Sequence, residues 1–130
     1  MRIILTILLL TNLLYPQSFG QNKVQYESFD WEYIVSPNTN IYYYGDNKDL
    51  AIFTSKVAER SIEQIGKHLR WRSNKPIKII VYTSHNDFQQ TNVVNVYMSE
   101  GVGGVTELYK NRMVIPCEGS YEQFEHVLHH

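Results

Sequence analysis

The stretch "LAIFTSKVAERSIEQIGKHLRWRSNKPIKIIVYT", Leu50 to Thr83, contains a change of period that decides the fold. Leu50, Phe53, Val57, Ala58, Ile62, Ile65 and Leu69 recur in steps of three and four as far as Trp71, the rhythm of one helix face. Lys56, Glu59, Arg60, Glu63 and Lys67 fall on the other side and read as a solvated surface. Asp46 or Asn47 is placed to cap this helix, with Asp49 near the positive end of its dipole. After "SNKP" the rhythm stops. "IKIIVYT", Ile77 to Thr83, is short and rich in β-branched residues, as an inner strand requires.

Working outward, "FDWEYIV" (Phe29 to Val35) alternates apolar and acidic side chains, the pattern of a half-buried strand. "SPNTN" (Ser36 to Asn40) reads as a turn, and "IYYYG" as a second strand ended by Gly45. A helix between two strands, folded back onto their sheet, makes an α/β arrangement. On the far side, "SHNDFQQTN" is loop-like and opens with a short helical turn capped by Ser84. Strand segments are expected around Val93 to Met98, Val105 to Tyr109 and Met113 to Ile115, with Lys110-Asn111-Arg112 as a turn. There is no internal repeat, low-complexity segment or linker that would split the chain.

The first twenty residues differ from the rest. Arg2 begins a positive region, Ile3 to Leu14 is almost wholly apolar, and Ser18-Phe19-Gly20 offers small residues for cleavage before Gln21. This is the pattern of a secretory signal covering residues 1–20, leaving residues 21–130 as one small domain. The apolar run is short of the roughly 20 residues of a membrane span, so no stable span is expected after cleavage; an uncleaved anchor is the alternative. Twelve basic against thirteen acidic residues give a net charge of -1 and no basic footprint for nucleic acid. Cys117, the single cysteine, cannot form an internal disulfide and reads as a small, partly covered residue after Pro116.

Few residues announce chemistry. "GVGGV" (Gly101 to Val105) lacks the lysine and following helix of a phosphate loop, and is better read as backbone that lets a strand edge approach something closely. His68 and His85 stand alone and read as surface or loop histidines. In "SYEQFEHVLHH" (Ser120 to His130), Ser120 and Gln123 form a capping box, and Phe124, Val127 and Leu128 make an apolar stripe still running at His130. The expectation is an N-terminal fragment of a longer protein. His126 and His130, four apart, face the same way on such a helix and offer a weak two-ligand metal pair.

The segment "GVGGVTELYKNRMVIPCEGSYEQFEHVLHH" resembles the approach to the active site in gluzincin zinc metallopeptidases of the peptidase MA-like group. It is most similar to exported Bacteroidetes-type proteins in which such a domain precedes a TolB-like β-propeller. The resemblance extends from about Phe29 onward and is strongest from Gly101. It implies the N-terminal lobe of a gluzincin, a long helix packed on a small mixed β-sheet, with the start of the active-site helix at the C-terminal end. His130 then matches the first histidine of His-Glu-x-x-His and is implied as a Zn²⁺ ligand. His129 supports the helix, and His126 packs one turn upstream. Gly104, Val105 and Thr106 belong to the edge strand, Gly104 to Leu108, that would bind an extended peptide or protein substrate by backbone pairing.

In the whole motif a second histidine, a glutamate base and a downstream carboxylate complete the site, so these residues alone are expected neither to hold zinc nor to catalyse. The same resemblance implies a propeller missing from this chain and a location in the periplasm or on the surface of a Gram-negative bacterium. The alternative is a non-catalytic envelope binding or scaffold module on the same fold.

Overall fold

The computed structural model describes residues 23–94 and 98–130. Residues 1–20, read as a signal, lie outside the described residues, as do positions 95–97 of the strand expected around Val93 to Met98. The elements are β1 (Trp31–Val35), β2 (Thr39–Tyr44), α1 (Lys48–Leu69), β3 (Ile77–Tyr82), α2 (His85–Gln89), β4 (Val105–Glu107), β5 (Arg112–Pro116) and α3 (Tyr121–His129). The fold is mixed α/β: a five-stranded mixed sheet with the 22-residue α1 packed against it. No helix among the described residues is long and apolar enough to cross a membrane.

The strands are ordered β1-β2-β3-β5-β4. β2, β3 and β5 run parallel, with Ile41 opposite Ile79 and Ile79 opposite Met113. β1 and β4 are antiparallel edges, pairing Trp31 with Tyr44 and Thr106 with Met113. Alternation along each strand divides the apolar residues between two layers. Ile41, Tyr43, Ile79, Val81 and Ile115 meet Leu50, Ala51, Val57 and Ala58 of α1 and Phe124 and Leu128 of α3. Tyr82 and Val114 face the other way, onto Phe88 and Met98, with Phe29, Tyr44 and Ile80 around them. With both its faces covered, β3 is the inner strand that its β-branched run implies.

Several readings of the sequence need correction. The strand expected over Val105 to Tyr109 ends at Glu107, and Arg112, read as part of the turn, begins β5 because it pairs with Glu107 and Lys78. Thr39 and Asn40 belong to β2 rather than to the turn, because they pair with Ile77 and Lys78. Glu59 is not part of a solvated face: one carboxylate oxygen accepts from Asn38 N at 2.9 Å and Thr39 Oγ1 at 3.0 Å, the other from Asn38 Nδ2 at 2.7 Å. A charged side chain here ties the β1–β2 turn to α1. Asn47 stands at the N-cap, but its side chain donates backward to Tyr44 O at 2.7 Å instead of accepting from the helix. Val93 and Val94 lie in a turn and bend and pack on the second apolar layer, so loop packing rather than strand pairing uses their side chains.

The short helical turn after Ser84 forms as its capping residue implies, with Ser84 Oγ accepting from Asp87 N at 3.1 Å. Tyr44 anchors it from β2: its hydroxyl donates to Asp87 Oδ2 at 2.6 Å and accepts from Thr83 N at 3.0 Å. Burial first, and the bond to Asp87 second, push this phenol above its ordinary pKa. The β4–β5 turn closes on Asn111, whose backbone is left-handed at φ 49° and whose amide donates to Pro76 O at 3.0 Å.

Candidate functional site

The histidines singled out in the sequence gather at the end of α3, which three contacts fix in place. Ser120 Oγ accepts from Gln123 N at 3.2 Å, giving the first turn a cap. Phe124 and Leu128 are buried in the helix-side core, with Phe53 of α1 against both Phe124 and Tyr121. Glu125 forms an ion pair with Arg60 across the two helices. The apolar stripe expected over Phe124, Val127 and Leu128 is thus buried at two positions. Val127 stays at the rim, 37% exposed.

His129 is held rather than free. Its Nδ1 lies 2.8 Å from Ser61 Oγ, on a part of α1 that is nearly covered. The sequence carried a signal for this partner: Ser61 interrupts the apolar face one turn beyond Val57, and a polar group placed there needs a hydrogen bond. His126 and His130 face each other edge to face, ring centroids 4.5 Å apart. They share a helix side, as their spacing implies. A catalytic zinc takes three protein ligands, and among the described residues no three His, Cys, Asp or Glu side chains are grouped to hold a metal ion. These residues therefore do not fit a complete zinc centre.

The glycine-rich segment reaches the same helix from the opposite edge. A Cβ on Gly103 would lie 3.2 Å from Val127 Cγ1, tighter than ordinary contact, and one on Gly104 would lie 3.1 Å from Val114 O. Absence of side chains here lets the chain pass between β5 and α3 before Val105 and Thr106 pair with Val114 and Met113. The edge strand expected over Gly104 to Leu108 is shorter, Val105–Glu107, so Gly104 precedes it; the outward edge of Val105 and Thr106 has no strand partner among the described residues. At about 100° per residue, position 130 lies about 40° from His126 and about 60° from Val127 around the axis of α3. Position 130 thus lies between the His126 side, which shares a hollow with Arg60 and Gln64 of α1, and the Val127 side next to the glycines.

The other chemical candidates fall away from this flank. His68 is exposed at the end of α1, its Nδ1 2.8 Å from Gln64 O. His85 is buried rather than on the surface, 7% exposed and edge-on to Phe88, because the loop through Met98 folds over it. Cys117 is half-covered beside the helix-side core, and burial raises its thiol pKa, which leaves it a poor nucleophile. No family model, curated protein or solved structure matches this chain.

Proposed function

We propose that this chain forms the substrate-edge and first-ligand part of an exported zinc metallopeptidase-like domain. One observation supports the reading: Gly103 packs against Val127, which brings the start of the antiparallel edge strand β4 next to α3 three residues before His130. A peptide extended along Gly104, Val105 and Thr106 would pair with backbone groups and lie beside His130. The Ser61–His129 bond supports the same reading, since it fixes the rotation of the helix about its axis and with it the direction of His130.

On this reading α3 is the start of the active-site helix and the sheet is the N-terminal lobe of a gluzincin. Zn²⁺ is held jointly by His130 and by ligands that the described residues do not supply. The protein is secreted to the periplasm or the cell surface, and its substrate is a peptide or protein.

The codons that follow His130 in the reading frame give the first test. Glu-x-x-His there supports the enzyme, and any sequence without it overturns the assignment. The product of the whole reading frame should then hydrolyse a peptide library and lose that activity to a chelator. Motif without hydrolysis would favour the non-catalytic binding module.

A further inference from the structure

A second surface lies at the far end of α1 and shares no residue with the hollow beside His126 and His129. The helix ends there through Arg70, left-handed at φ 51°, and Gly66 O accepts from both Arg70 N and Trp71 N. A Cβ on Gly66 would come within 2.8 Å of Trp71 O, so the glycine permits the chain to double back tightly. The reversal leaves a hollow of about 700 Å³ with Arg70, Trp71 and Arg72 along it. Trp71 is 54% exposed, and Leu69 beside it 69%.

Charge is concentrated at the same place. Lys67, Arg70, Arg72 and Lys75 lie within nine residues that contain no acid, whereas the rest of the chain holds eight basic and thirteen acidic residues. The hollow's lining does include one acid, Glu63, whose carboxylate is paired with Lys67. Arg70, Arg72 and Lys75 form no ion pair among the described residues. A bare indole next to unpaired cations in a concave surface calls for a ligand that is flat and apolar on one side and anionic at intervals.

We infer that this hollow binds an acidic polysaccharide, with a sugar ring stacked on Trp71 and its carboxylate or sulfate groups on Arg70 and Arg72, while Lys75, outside the lining, adds positive charge nearby. The C–H face of a pyranose suits the indole plane, and guanidinium groups match planar or multi-oxygen anions. Single-stranded nucleic acid also combines stacking with charge, but its binding surfaces use successive aromatic platforms. Here one aromatic serves the patch, where a nucleic-acid surface would present a succession of them.

The full chain, kept dispersed in a neutral detergent, is titrated with a heparin-derived hexasaccharide and with a galacturonate hexamer while tryptophan emission is followed. Saturable binding of either sugar is expected, about tenfold weaker at 300 mM than at 50 mM salt because exposed charges are screened. Trp71→Phe should remove the emission change, and Arg72→Gln with Lys75→Gln should weaken binding about tenfold. All three positions are at the surface, so thermal midpoints should match the parent and show that folding is intact. The inference is overturned by no saturable binding of either sugar at 50 mM salt, or by affinity unchanged in the charge variant. A thymidine hexanucleotide that binds as tightly as the sugars also overturns it, in favour of a general polyanion surface.

Discussion

The two halves of α1 carry the same apolar rhythm and meet different surroundings. From Leu50 to Ser61 the stripe lies on the sheet and on α3, with Leu50, Ala51, Val57 and Ala58 buried. Beyond it, Ile65 is 39% exposed and Leu69 69%. Periodicity reports that a face is amphipathic. It does not report where the partner surface stops, because that depends on how far the strands and the neighbouring helix extend beneath it.

The largest effect expected from this difference is at Leu50, where Leu50→Ala should cost about 3 kcal/mol in urea unfolding, the middle of the range for emptying a core site. Glu59→Ala should follow at about 2 kcal/mol, since it strands the turn donors Asn38 N, Asn38 Nδ2 and Thr39 Oγ1. If Glu59→Ala behaved like a surface change, the role given to that carboxylate would be wrong. Ser61→Ala should cost about 1 kcal/mol through loss of its bond to His129. The Ser61 variant should also move the His129 ring resonances in a proton–nitrogen spectrum. A spectrum unchanged at His129 would mean that the bond does not hold in solution.

In the far half, Glu63 is held below its ordinary pKa by its hydrogen bond to Lys67 and by the ammonium charge. A carboxylate with a depressed folded pKa adds stability above its unfolded pKa and loses it as pH falls through the folded value. Carbon-detected titration should therefore place the Glu63 midpoint below the usual glutamate range, and the pair should be lost only in acid beneath that range. A midpoint at or above the usual range contradicts it. Leu69→Ala, the smallest change, should stay within about 0.5 kcal/mol. A cost like that at Leu50 would show that a partner covers this end of α1.

What the sequence made legible follows the same division. Local signals were read well: the helix of Leu50 to Leu69, the β-branched strand after it, and the caps at Ser84 and Ser120 all rest on neighbours in the chain. Non-local roles were not. Glu59 sits at a helical position that reads as solvent-facing, and only the return of the β1–β2 turn encloses it. His85 lies in a polar segment and is buried by residues that follow a loop. Val93 and Val94 have strand chemistry but supply loop contacts to the second layer.

At the candidate site, the four-residue spacing placed His126 and His130 together, while the approach of Gly103 to Val127 came only from the fold. Ser61 left a fainter trace, a hydroxyl on an apolar face whose partner lies on another helix.

The most direct test of the account is the zinc content of the protein made from the complete reading frame, measured per chain by atomic spectrometry with and without His130→Ala. One zinc per chain in the parent and almost none in the variant is the result predicted. Equal zinc contents, or none in either protein, would contradict the place given to His130.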